Sequence, residues 1–317
     1  MKIGFIGLGN VGGKLAGSLL RNGFDLTVRD LNQEIARPFL DNGAKWADSP
    51  KKLAEAVDLI ITCLPNPAAS ATVIEADDGV LAGISTGKIW AEMSTTDEEE
   101  VKRLGAKVKA LGGEALDCPV SGGCHRAATG NISIFVGGER SSFEKILPVM
   151  KVLGRRILHT GDLGSASVLK VMTNYLATAN LVTLCEALTT AKKAGMDLST
   201  TYEAIRISSG NSFVHETESQ VILNGSREIN FTMDLVLKDI SLFQAIAERA
   251  GVPLEVSPLL IDIFKDGEER YGSREWSSNI VRRLEDACDT QVIASGFPAE
   301  MVDDEPEVSG TEVVARV

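Results

Sequence analysis

Lys170 and Asn174 lie four positions apart in Gly164-Ser165-Ala166-Ser167-Val168-Leu169-Lys170-Val171-Met172-Thr173-Asn174. On a helix that spacing places both on one face. An ammonium and an amide on a buried, otherwise apolar helix face cost desolvation energy, which a polar substrate held against them would offset. A lysine in such a place can exchange a proton with a substrate hydroxyl. Free lysine titrates near ~10.4, so burial must lower its pKa before it serves as a base near neutrality. The plainer alternative is a lysine that snorkels from its helix to water.

A second constellation stands at the start of the chain. Gly7-Leu8-Gly9-Asn10-Val11-Gly12 is a GxGxxG between an apolar strand and a helix. Its first two glycines permit a tight turn and close backbone approach to a pyrophosphate, and the helix N-terminus offers free N–H groups. Asp30 ends the next strand at the spacing expected of a ribose-binding carboxylate. That charge repels a 2′-phosphate and Leu31 offers no cation, so NAD is favoured over NADP; Arg29 is the one residue arguing the other way. Leu64 and Pro65, closing the apolar strand from Leu59, are assigned to the same cofactor site. A glycine turn with no cofactor is the competing reading.

The loop Asp117-Cys118-Pro119-Val120-Ser121-Gly122-Gly123 follows a strand, and its small residues expose backbone N–H groups beside a serine hydroxyl. Such a nest suits a carboxylate, although a tight structural turn has the same composition. Ser94-Thr95-Thr96 ends another strand on the side where this architecture binds ligands; as an isolated triplet it also reads as a helix N-cap. Of the three histidines, His215 is a candidate to line the substrate pocket, while His125 and His159 read as structural or surface groups. Arg126 and Arg206 are weaker candidates of the same kind as His215.

These residues need a scaffold, and the chain describes one. Up to residue 163, apolar strands alternate with amphipathic helices, which predicts a parallel sheet covered on both faces. From 164 to 289 the periodicity is helical throughout, over 165–194, 199–207, 213–224, 232–250, 255–270 and 275–288. The expected fold is therefore an α/β N-terminal Rossmann-type dinucleotide-binding domain plus an all-α C-terminal domain, joined by a long interdomain helix, with the site in the cleft between them. Residues 290–317 include Asp303-Asp304-Glu305-Pro306-Glu307 and predict a flexible acidic tail.

The 317 residues carry a net charge of −12, which opposes a nucleic-acid partner. Neither a signal peptide nor a membrane span is read from the sequence. Five scattered cysteines, without paired metal-ligand spacing, predict reduced thiols in the cytoplasm and no metal site. Cys118 and Cys124, flanking the small-residue loop, are read as packing residues.

Taken in this order, the motifs resemble those of the β-hydroxyacid dehydrogenase family, over roughly residues 1 to 288. The resemblance rests on Gly7 to Gly12, Ser94-Thr95, Asp117 to Gly123 and Lys170-x-x-x-Asn174, with Phe231 and Lys238-Asp239 matching a later signature. It implies an NAD-dependent enzyme that interconverts a small 3-hydroxy acid and its semialdehyde. Lys170 would be the acid/base and Asn174 would orient the reacting oxygen. Ser121, Gly122 and Gly123 would hold the substrate carboxylate. Thr95 would lie near both nicotinamide and substrate. Phe231 and Asp239 would close the site, and Lys238 would approach the cofactor. A homodimer or homotetramer is implied.

Two departures stand out: the glycine-x-glycine usual before the lysine is here Gly164-Ser165-Ala166, and Glu92 replaces the common aspartate before Ser94. Ala177 occupies the position where related 6-phosphogluconate dehydrogenases carry an acid, which opposes oxidative decarboxylation. Lys170 itself opposes an imine reductase. A β-hydroxy amino acid or a sulfonated or phosphonated analogue remains an alternative substrate, and a non-catalytic NAD-binding regulator an alternative role.

Overall fold

A computed structural model describes residues 1–316. The chain divides into two compact units, one of residues 1–170 with 303–317 and one of residues 171–302.

The first unit follows the alternation predicted. In chain order it contains β1 (Ile3–Ile6), α1 (Asn10–Arg21), β2 (Leu26–Arg29), α2 (Arg37–Asp41), β3 (Lys45–Trp46), α3 (Pro50–Ala56), β4 (Leu59–Thr62), α4 (Pro67–Glu75), β5 (Ile89–Glu92), α5 (Glu98–Ala110), β6 (Glu114–Asp117), β7 (Val120–Ser121), α6 (Gly123–Ala128), β8 (Ile132–Gly137), α7 (Arg140–Leu153) and β9 (Gly154–Gly161). The helix α8 (Ser165–Lys193) begins in this unit and continues into the second. The second unit is helical: α9 (Leu198–Arg206), α10 (Phe213–Asn224), α11 (Met233–Arg249), α12 (Val256–Tyr271) and α13 (Arg282–Cys288). A last strand, β10 (Thr311–Val313), returns to the first unit.

The sheet order is β10-β9-β8-β6-β5-β4-β1-β2-β3, with β7 alongside β8. Alternate strand residues enter opposite cores, as the period-two geometry of a strand requires. Leu59 and Ile61 of β4 join Phe5, Leu15 and Phe143 on one face, whereas Ile60 joins Trp90, Leu53 and Leu104 on the other. Because both faces are covered, the strands read as continuous apolar runs.

Two expectations are corrected. The sheet is not parallel throughout, because β8 runs antiparallel to β6. The intervening short strand β7 pairs antiparallel with β8, Val120 opposite Ile134 and Ser121 opposite Ser133, which fixes that direction. The second correction concerns the acidic C-terminus. Its composition predicts a flexible tail, yet β10 pairs in parallel with β9 through Thr311, Glu312 and Val313. Arginine and asparagine side chains of the first unit neutralise or hydrogen-bond its carboxylates, so its charge anchors it rather than solvating it.

Candidate active site

The glycine loop is shaped by close approaches. Gly7 has φ of 97°, and a Cβ there would sit 2.3 Å from the Cys63 carbonyl oxygen. A Cβ on Gly12 would sit 2.1 Å from the Gly7 carbonyl oxygen. Gly9 differs: nothing lies within 4 Å of its Cβ position. A side chain is excluded from Gly7 and Gly12 by the protein, but at Gly9 there is open space, as a cradle for a pyrophosphate demands. Gly9 caps α1 without a side-chain hydrogen bond, and the first turn of that helix carries no acid. Its N–H groups and positive dipole end are thus left to an anion.

Asp30 lies where the spacing places it. One carboxylate oxygen accepts from the Leu8 N–H at 2.7 Å and the other from the Asn32 N–H at 2.9 Å. The Arg29 guanidinium stacks 5.0 Å from the centre of the Trp46 ring and bonds the Asp30 carbonyl. These residues fit a dinucleotide: an open glycine turn stands before a helix N-terminus, with the Asp30 carboxylate beside it.

Ser94 proves not to be a helix cap. Asp97 caps α5, accepting from the N–H groups of Glu99 and Glu100. The Ser94 hydroxyl instead accepts from the Leu64 N–H at 2.7 Å, tying the end of β5 to the segment after β4. The Ser94 N–H donates in turn to Glu92 at 2.9 Å. Glu92 is buried, and desolvation raises its carboxyl pKa against the pull of Ser94. The uncommon glutamate therefore belongs to the support beneath Ser94 and Thr95, a role that its position in the sequence did not disclose.

Asp117 is the other group whose role the sequence understated. It ends β6, opens the small-residue loop and is fully buried. Its carboxylate accepts from the Gly164 N–H at 2.8 Å, the Ser167 N–H at 2.7 Å and the Ser167 hydroxyl at 2.9 Å. It thereby satisfies donors at the start of α8 that would otherwise be orphaned. Burial raises its pKa and these three donors lower it. After β7, Gly122 takes φ of 131° and leads into α6. Ser121 and Gly122 are partly exposed and Gly123 is exposed, so the loop is accessible to a ligand.

Lys170 lies in the second turn of α8 and is 7% exposed. Asn174 follows one turn later on the same continuous helix. In the second unit, the Asn174 amide donates to Asp239, whose other oxygen lies 2.6 Å from the Lys238 ammonium. Asp239 is buried on α11, so its contact with Asn174 fixes the amide's orientation. Phe231 is partly buried against the helical core just before α11. Thr95 is partly exposed beyond β5.

His215 lies within the helical unit. His215 is 1% exposed, its Nε2 lies 2.9 Å from the Tyr202 carbonyl oxygen, and its ring packs 4.7 Å from that of Tyr202. Burial lowers its pKa. It joins α10 to α9. His159 is likewise structural, bonding the Gly138 carbonyl at 2.8 Å. Burial raises the thiol pKa of both Cys118 and Cys124, in keeping with packing roles. Among the described residues, no cluster of His, Cys, Asp or Glu could hold a metal, and no helix is long and apolar enough to cross a membrane.

Comparison with known proteins agrees with this arrangement. Residues 2–161 match the NAD binding domain of 6-phosphogluconate dehydrogenase. Residues 164–284 match the NAD-binding domain of NADP-dependent 3-hydroxyisobutyrate dehydrogenase. The 2-(hydroxymethyl)glutarate dehydrogenase of Eubacterium barkeri is 34% identical, across 89% of this chain and 94% of its own. The mitochondrial 3-hydroxyisobutyrate dehydrogenase of Rattus norvegicus is 29% identical, across 87% and 85%. The crystal structure of a 3-hydroxyisobutyrate dehydrogenase from Salmonella typhimurium superposes with a TM-score of 0.82 at 27% identity, across 89% of this chain and 99% of that one. The fold and the site define a nicotinamide-dependent dehydrogenase acting on a CH–OH group. The chain belongs to the β-hydroxyacid dehydrogenase family.

Proposed function

We propose that this enzyme oxidises a 2-(hydroxymethyl) carboxylate to its semialdehyde with NAD, and runs the reverse reduction. The observation that carries the reading is the pairing of a buried Lys170 with Asn174 on α8, whose N-terminus is fastened by Asp117 of the small-residue loop. The named activities of two relatives add the substrate class. 3-Hydroxyisobutyrate is a propanoate bearing a hydroxymethyl group on C2, so both relatives' substrates place a primary alcohol β to a carboxylate. They differ in the third substituent, a methyl group in one and a carboxyethyl group in the other.

In this reading Ser121, Gly122 and Gly123 hold the carboxylate through the serine hydroxyl and backbone N–H groups. Lys170 takes the hydroxyl proton as the carbinol C–H bond breaks. Asn174, held by Asp239, orients the alcohol oxygen. Gly7 to Gly12 and Asp30 would hold NAD, which would supply the hydride acceptor. In the reverse direction Lys170 returns its proton to the aldehyde oxygen. Asp30, lodged against the glycine loop, selects NAD over NADP by repelling a 2′-phosphate, and the stacking of Arg29 on Trp46 keeps that cation from compensating.

We also place the enzyme in the cytoplasm, since its five cysteines are free. We take it to be a homodimer or homotetramer, supported by the exposed apolar side chains Leu169, Met172 and Leu176 along α8.

Initial rates of NADH formation test the reading. The panel is 3-hydroxyisobutyrate, 2-(hydroxymethyl)glutarate, 3-hydroxypropionate, glycerate, serine and 4-hydroxybutyrate, with NAD and with NADP. Highest kcat/KM on a 2-(hydroxymethyl) acid with NAD is expected. Turnover confined to 4-hydroxybutyrate, whose alcohol is one carbon further from the carboxylate, would contradict it.

A further inference from the structure

Residues 303–313 lie beyond both matched family domains, yet they are fastened to the first unit at several points. Asp303 accepts from the Asn131 amide at 2.7 Å and from the Thr129 hydroxyl, in the turn that leaves α6. The Glu305 carboxylate lies 2.9 Å from Arg155 and 3.8 Å from Arg126, and its carbonyl accepts from Asn131 at 3.0 Å. Glu307 reaches the end of α1, 2.9 Å from the Asn22 amide and 3.2 Å from Arg21. The Gly310 N–H donates to the Lys151 carbonyl at 2.7 Å, and Arg140 pairs with Glu312 of β10. Residues 304–309 are exposed, so charge and hydrogen bonds hold this segment more than apolar burial does.

The helices it grips are those that carry the two ligand loops at their other ends. The glycine loop opens α1, and the loop Ser121–Gly123 opens α6. The C-terminal ends of these helices also touch, with Arg21 donating to the Ala128 carbonyl at 2.8 Å. Helix α1 is long and sends Leu15, Ala16 and Leu19 into the core. Helix α6 has only six residues. A helix that short has little stability of its own, so its position depends on tertiary contacts.

We propose that Asp303–Val313 is a positioning strap, in which Asp303, Glu305 and Glu307 hold α6 against α1 and so fix the substrate loop relative to the cofactor loop. The proposal rests on the reading of Ser121–Gly123 as the carboxylate cradle. Releasing the strap leaves α1 seated in the core and lets α6 shift. Substrate binding then weakens while NAD binding and the proton transfer at Lys170 persist.

Two full-length variants release the strap by different physics. Asp303→Asn with Glu305→Gln and Glu307→Gln removes the charges. Gly310→Ala places a Cβ 1.9 Å from the Gly154 carbonyl oxygen and displaces β10 sterically. Hydrogen exchange over residues 121–131 and 303–313 is measured beside steady-state kinetics. Faster exchange in both segments is expected in each variant, with KM for the hydroxy acid raised about tenfold. KM for NAD and kcat should stay within about twofold. Exchange faster at 303–313 but unchanged at 121–131, with KM unchanged, overturns the proposal. So does a triple variant whose strap stays protected, since its carboxylates would then not be the anchor. If no hydroxy acid is turned over even by the unsubstituted enzyme, the substrate reading fails, and exchange at 121–131 still decides whether the strap positions α6.

Discussion

Asp117 accepts both the backbone N–H and the hydroxyl of Ser167, at 2.7 Å and 2.9 Å. One buried carboxylate thus joins the start of the small-residue loop to the first turns of the helix that carries Lys170. Neither the loop nor the lysine helix can move by itself without breaking hydrogen bonds to a desolvated charge, which are among the costlier ones to lose.

Asp117→Asn should therefore weaken both fold and turnover. Its amide nitrogen would face backbone donors in place of an accepting oxygen. A loss of about 2–4 kcal/mol in urea unfolding is expected, with a fall in kcat larger than any rise in KM for NAD. An unchanged unfolding midpoint would show that the contact carries little.

Asp239 and Asn174 should behave as one device in the second unit. Asp239→Ala removes this acceptor from the Asn174 amide, and its effect on kcat/KM should resemble that of Asn174→Ala. The double variant should then lose far less than the sum of the two, with a coupling of about 1–3 kcal/mol. Strict additivity in the double-mutant cycle would refute the coupling.

The proposed reading assigns cofactor choice to Asp30. Asp30→Ser removes the charge facing a 2′-phosphate, and the ratio of kcat/KM for NADP over NAD should rise about tenfold, equivalent to about 1.4 kcal/mol. The Leu8 N–H also loses its carboxylate partner, so some loss with NAD is expected. A ratio unmoved by the substitution would place selection elsewhere.

Glu218 on α10 makes a pH prediction that is independent of catalysis. Burial raises its pKa from 4.5 to about 7, with Ser277 pulling it the other way. The unfolded chain ionises this group at lower pH than the folded one, so stability falls as pH rises from about 4.5 to about 7. The loss is on the order of 3 kcal/mol. Unfolding midpoints of Glu218→Gln should lack this part of the pH dependence. A variant with the same pH profile as the unsubstituted protein would show that Glu218 ionises normally.

Much of the architecture was legible because each layer repeats a simple signal. Continuous apolar runs such as Leu59 to Leu64 announced strands covered on both faces, and helical periodicity placed α8 to α12 within a residue or so of their ends. Gly7 to Gly12, Asp30 and the Lys170–Asn174 spacing marked a candidate site because their chemistry is local in sequence. What escaped notice depends on distant partners. The contact of Asp117 with Ser167 spans fifty positions, and the tie of Ser94 to Leu64 spans thirty. The acidic composition of 303–307 reads as a solvated tail until Arg21, Arg126 and Arg155 are brought beside it. The contact of His215 with Tyr202 was equally hidden, because it joins two helices thirteen positions apart.

The central claim is that Lys170 moves the proton. Its most direct test compares kcat for the best hydroxy acid and Kd for NAD in the unsubstituted enzyme and in Lys170→Ala. The account predicts a fall in kcat of about 10²–10⁴-fold, with Kd for NAD essentially unchanged. Near-normal turnover in the Ala variant would contradict it and hand the proton to another group.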